Sequence, residues 1–181
     1  MAQPIEIHEY DPLWKQEFVN IALDLRKALA EVACRIDHIG STSVEGLAAK
    51  PIIDIQISVP SLEPVSAYLP QMEALAYVWR SDNPEKTKRY FRESPGQRRI
   101  HIHVRRLGSW HEQFALLFRD YLRLHPDDQR KYERVKKELA ALYRSDRQAY
   151  TDAKDEVFWE IIKRADRWAS DTGWDVGAPD A

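Results

Sequence analysis

The chain has 181 residues, 44% of them hydrophobic and 31% charged, which fits one globular domain with a substantial core and excludes a disordered chain. A formal net charge of -2 and a pI near 6.3 leave no basic excess for double-stranded nucleic acid or an anionic membrane surface. A lone cysteine cannot form an internal disulfide, and no stretch approaches the ~20 apolar residues of a membrane span, so a cytoplasmic protein is expected.

Asp11-Pro12 is a helix start, and Trp14, Phe18, Ile21, Leu25 and Leu29 recur after it at helical spacing, which predicts a first helix over 12–32. Cys34 follows an apolar stretch and reads as a small core residue. Arg35 to Ile39 reads as a short strand ended by Gly40, and Pro51 to Val59 as an isoleucine-rich strand between prolines. A helix is expected over 62–75 and an extended piece from Tyr77. Lys88–Glu93 and Arg99–Arg105 flank Ser94-Pro95-Gly96-Gln97, the pattern of a β-hairpin. Helices follow from Trp110 to Leu124, from His125-Pro126 to near Arg144, and from the Ser145-Asp146 cap onward. The expected architecture is therefore α/β (α+β). A mixed sheet of about four or five strands, with the Asp54 strand central, is covered by the N-terminal helix and the C-terminal helices. Residues 1–169 form one domain, and 170–181 read as a flexible tail in which only Trp174 has reason to dock.

Polar residues capable of chemistry collect at two places. The first is His38-Ile39-Gly40-Ser41-Thr42-Ser43, where glycine lets the backbone turn and the hydroxyls and N–H groups of Ser41 and Thr42 suit phosphate oxygens. Taken alone, such a run is more often a plain polar turn between strand and helix. The second is the strand Ile53-Asp54-Ile55-Gln56-Ile57-Ser58, in which alternation puts the isoleucines on one face and Asp54, Gln56 and Ser58 on the other. A carboxylate in such a strand needs a metal or a cation, and Lys50 is a candidate partner. A Gly-Ser turn followed by an acid in an apolar strand outlines the nucleotidyltransferase pattern. There the serine holds the triphosphate and two carboxylates one residue apart hold Mg²⁺. Here the second acidic position is the neutral Gln56.

The strand Arg99–Arg105 places His101, His103 and Arg105 on one face. Beside Asp54, His101 and His103 make a candidate site for one divalent ion, and one carboxylate with two imidazoles suits Zn²⁺, Mn²⁺ or Ni²⁺ better than Mg²⁺. Asp54 and His103 are the candidate catalytic groups. The rival is a metal-free cluster in which a protonated histidine, Arg89 or Arg119 neutralises Asp54.

The stretches 37–44 and 46–55, Arg89-Tyr90-Phe91-Arg92 with His101-Ile102-His103-Val104, Phe118–Arg123 with His125-Pro126, and Tyr150–Lys154 together resemble the GrpB-like family over 7–168. Glu45 and Ser43 depart from the family's usual proline and alanine. The resemblance implies a nucleotidyltransferase-like fold and no particular reaction. In some bacteria the family's domain is fused to dephospho-CoA kinase, where a folding-assistance role has been proposed. It also favours Arg89, Arg119 and Lys154, with Lys50, as phosphate clamps over their plain alternative, surface pairing with nearby acids. The expected ligand is a nucleoside triphosphate or another phosphorylated small molecule, with one divalent metal. The alternative is a non-catalytic nucleotide- or metal-binding module, or a folding-assistance module.

Overall fold

The computed structural model describes residues 4–181. Asp11 accepts a hydrogen bond from the Leu13 N–H, and helix α1 runs Leu13–Leu29. Its buried stripe is Trp14, Phe18, Ala22, Leu25 and Leu29. A 3₁₀ turn extends it to Val32, close to the expected end.

Five strands follow: β1 (Arg35–Ile39), β2 (Ile53–Val59), β3 (Tyr77–Trp79), β4 (Lys88–Glu93) and β5 (Ile100–Arg106). They form one mixed sheet in the order β1-β2-β5-β4-β3. Only the β2–β5 pair is parallel. The Asp54 strand is interior, although β5 and not β2 holds the middle place. Between β2 and β3 lies only a short helix, α2 (Leu69–Ala74), preceded by a 3₁₀ turn at Val65–Ala67. Pro64 and Pro70 lack the N–H that one continuous helix over 62–75 would use.

One sheet face is apolar. Ile53, Ile55, Ile57, Phe91, Ile102 and Val104 bury against the α1 stripe, as period-two alternation requires. The other face presents Asp37, Asp54, Gln56, Ser58, His101 and His103. Helices α3 (Trp110–Leu124), α4 (Pro126–Leu142) and α5 (Arg147–Thr172) belong to that side. Ser109 and Asp146 cap α3 and α5 through their side chains. Leu116 and Leu122 are fully buried, and Phe118, Leu122, Tyr132, Val157 and Ile161 join the three helices in a second core. Gln56 and Ser58 lie under α3. The Gln56 amide donates to the Glu112 carbonyl at 3.2 Å, and the Ser58 hydroxyl donates to the Glu112 carboxylate at 2.5 Å. None of the helices is long and apolar enough to cross a membrane among the described residues.

Two expectations change. Cys34 is exposed; the buried residue at this junction is its neighbour Ala33. The segment after α5, expected to fray, returns to the edge strand β1. The Ala181 N–H donates to the Ile36 carbonyl, and Asp180 accepts from the His38 N–H at 2.9 Å. Arg35 donates to the Gly177 carbonyl, and Trp174 donates to Asp120.

Candidate functional site

Register creates the site. Asp54 on β2 sits opposite His101 on β5, and Gln56 sits opposite His103, so the carboxylate and both imidazoles share one face within a single step of the ladder. His101 Nδ1 lies 3.2 Å and His103 Nε2 3.7 Å from Asp54 Oδ1. One ligand atom from each residue falls within 4.8 Å of the others. An ion about 2.1 Å from each donor would separate the donors by roughly 3.0–3.4 Å, so the Asp54–His101 separation already fits and the His103 imidazole would have to move in by a few tenths of an ångström or more. Burial favours the neutral Asp54 acid, but hydrogen bonds from His101 and then His103 outweigh it and hold the carboxyl well below its usual range. Burial pushes His103 down to about 4, more than Asp54 raises it, so at neutral pH its imidazole is uncharged, the form that binds metals. Tyr90 on β4 packs its ring against both histidines, at 5.6 and 5.2 Å between centroids. His101 Nε2, His103 Nδ1 and Gln56 Oε1 are buried on this face without a hydrogen-bond partner, a polar capacity that folded proteins rarely leave unused.

Gly40 closes the corner. Its φ of +69° is a conformation that L side chains rarely adopt, and a Cβ there would stand 2.7 Å from Asp54 Oδ2. Ser41 follows, half-buried. Its hydroxyl accepts from Lys136 Nζ at 3.0 Å, and Lys136 also donates to the Ala48 carbonyl. Thr42 is committed to the loop: its hydroxyl donates to the Ile52 carbonyl and pairs with His38 Nε2. His38 itself stacks on Phe18, and burial pushes it down to about 3.

These residues open on a cavity of about 590 Å³ between the sheet and the helices. Three lysines line it: Lys50, Lys136 and Lys154. Among the described residues, no carboxylate bonds any of the three. Lys50 lies over the Tyr150 ring at 4.8 Å, Lys136 lies over the Tyr132 ring at 4.8 Å, and Lys154 reaches the Tyr132 hydroxyl at 3.5 Å. Burial, and then the charge of Lys154, pushes Lys136 down to about 7 and Lys50 to about 8. Such a wall suits an oligoanion, which would restore the protonated amines.

The other expected clamps lie elsewhere. Arg89 pairs with Val104 across the ladder, so its side chain falls on the opposite sheet face, where it bonds Glu63. Arg119 is buried and binds the Asp120 and Asp180 carboxylates and the His38 carbonyl. Neither arginine reaches Asp54; the histidines do. Lys136 and Tyr90 were not anticipated. Tyr132, Lys136 and Ala140 form the buried stripe of α4, and a lysine in that stripe was the available signal.

The profile of the family described as GrpB protein matches residues 4–164. The chain belongs to the GrpB family. A UPF0157 protein of Pseudomonas aeruginosa is 41% identical over 165 residues, 89% of this chain and 67% of that protein. The UPF0157 protein YqkA of Bacillus subtilis is 37% identical, over 91% of this chain but 48% of its own length. A dephospho-CoA kinase of Mycobacterium leprae is 33% identical over 91% of this chain and 47% of its own length. The chain thus spans from about half to two thirds of these relatives. The crystal structure of the conserved protein GrpB from Enterococcus faecalis superposes with a TM-score of 0.82 at 34% identity, covering 90% of this chain and 99% of that one. The Cid1 poly(U) polymerase, solved with MgGTP bound, gives a TM-score of 0.53 at 14% identity over 75% of this chain and 44% of its own. At that identity the likeness is one of fold alone: the chain shares the fold of that part of the Cid1 polymerase.

Proposed function

We propose that the cavity binds a phosphorylated small molecule, a nucleoside triphosphate being the first candidate, beside one divalent ion held by Asp54, His101 and His103. The observation that supports this reading most is the convergence of that carboxylate and imidazole set with three carboxylate-free lysines and Ser41 on one cavity. The lysine amines and the Ser41 hydroxyl would bind phosphate oxygens, and Gly40 lets Asp54 approach the same corner. A divalent ion there would neutralise phosphate charge and polarise a phosphoryl oxygen. Mn²⁺, Zn²⁺ and Ni²⁺ match the donors better than Mg²⁺.

Gln56 limits the chemistry. Its amide is fixed under α3 by the Glu112 carbonyl, and it brings no charge for a second ion. Two-ion catalysis of the kind the nucleotidyltransferase pattern implies therefore lacks a ligand. This favours binding, or a one-ion reaction, over two-ion transfer. The test is calorimetric titration with ATP and with inorganic tripolyphosphate, each with and without Mn²⁺. Binding that Mn²⁺ strengthens, and that Ser41→Ala and Lys136→Met each weaken about tenfold or more, supports the reading. Equal affinity in wild type and both variants would sink it.

A further inference from the structure

The phosphate wall accounts for only part of the cavity. One part of its wall is built by the start of α3 and the middle of α5, and these bring Trp110, Phe114, Phe158 and Trp159 together. Their rings form one contiguous cluster: Trp110–Phe114 at 4.5 Å, Phe114–Phe158 at 5.5 Å, Phe114–Trp159 at 5.6 Å and Phe158–Trp159 at 5.7 Å. Trp110 is 60% exposed and Trp159 46% exposed. Single exposed apolar side chains are ordinary, but two tryptophans that both pack on Phe114 at the lip of a cavity leave aromatic surface in water that a ligand would cover.

Resting on the phosphate reading of the lysine wall, we infer that the aromatic lip takes a flat ring on the same ligand, so that the ligand is a nucleotide and not a sugar phosphate or an inorganic polyphosphate. The two halves of the cavity are continuous, with Lys136 and Phe158 lining the same space. Its volume is that of a site for a whole small molecule and exceeds what a phosphate chain fills. The cavity wall carries both chemistries that a nucleotide needs: cations and the Asp54 cluster on β2, β5, α4 and α5, and ring faces on α3 and α5. Aromatic stacking accepts any base, because every base presents a π-face, so the lip selects for the presence of a base and not for its identity.

The experiment compares affinities for ATP, UTP and inorganic tripolyphosphate at one fixed Mn²⁺ concentration, in wild type, Trp110→Ala and Trp159→Ala. Both tryptophans are substantially exposed and lie outside the two cores, so the variants should fold, which circular dichroism checks. Both nucleotides are expected to bind at least tenfold more tightly than tripolyphosphate and to quench tryptophan fluorescence. The variants are expected to shrink that ratio by fivefold or more. Tripolyphosphate binding as tightly as the nucleotides, or a ratio unchanged in both variants, overturns the inference while leaving the phosphate reading in place. If none of the three compounds binds wild type, the phosphate reading falls and the inference falls with it.

Discussion

At the scale of single residues, the Asp54 corner depends on Gly40. A methyl group there would meet Asp54 Oδ2 at 2.7 Å and force a rare backbone conformation. Gly40→Ala should cost about 1–3 kcal/mol of stability in urea denaturation and weaken divalent-ion binding, whereas Gly96→Ala, which also loses a positive φ but meets nothing within 4 Å, should leave ion binding intact. Lys136 gives a second expectation. Its free value is near 7 against an ordinary 10.5. A bound phosphate raises that value, so protons are taken up on binding wherever the pH exceeds about 7. Affinity should therefore fall as pH rises from 7 towards 10, and the slope should flatten in Lys136→Met when measured by titration at several pH values. Asp54, His101 and His103 were legible in the sequence, because period two assigns faces in a strand without further information. Lys136 was not, because a lysine in a helix stripe usually snorkels outward, and only the packing of α4 over Ser41 turns it inward.

At the scale of elements, the edge of the sheet is finished by the chain's own last residues. Arg119 holds this arrangement, joining α3 to the His38 carbonyl on β1 and to Asp180. Asp180→Ala should lower stability by about 1–2 kcal/mol, since Arg119 keeps Asp120 as a partner. Arg119→Met should cost more, about 3 kcal/mol, because it leaves the His38 carbonyl without this donor and removes the buried cation between Asp37, Asp120 and Asp180. Both are read from denaturant midpoints at constant slope. With either substitution, the divalent-ion binding proposed for the Asp54 cluster should be unchanged, since neither residue lines that cavity. The strands, the hairpin and the three C-terminal helices could be read from periodicity, turns and caps. The returning tail could not, having no period and few apolar residues. Alternation puts Arg89 on the Phe91 face, but which of Tyr90 and Phe91 faces the core is set by the pairing of β4 with β5.

At the scale of the whole molecule, the candidate site is an assembly of distant segments. Ser41 and Asp54 come from the first third of the chain, the histidines from β5, Lys136 from α4 and Lys154 from α5. Sequence patterns place residues on faces of their own elements but do not say which faces meet, so the expected clamps divided into two that line the cavity, Lys50 and Lys154, and two that serve the fold, Arg89 and Arg119. A ligand that bridges sheet and helices should stabilise the whole: at 100 times its Kd, about 2.7 kcal/mol, or roughly 5–10 °C in Tm. The most direct measurement is the metal content of protein equilibrated with Mn²⁺ or Zn²⁺ and freed of excess by gel filtration, determined by plasma mass spectrometry beside Asp54→Asn and His101→Ala/His103→Ala. One ion per chain in the wild type, and none in either variant, is the predicted result. No retained ion in the wild type, or the same ion content in all three proteins, would contradict the account.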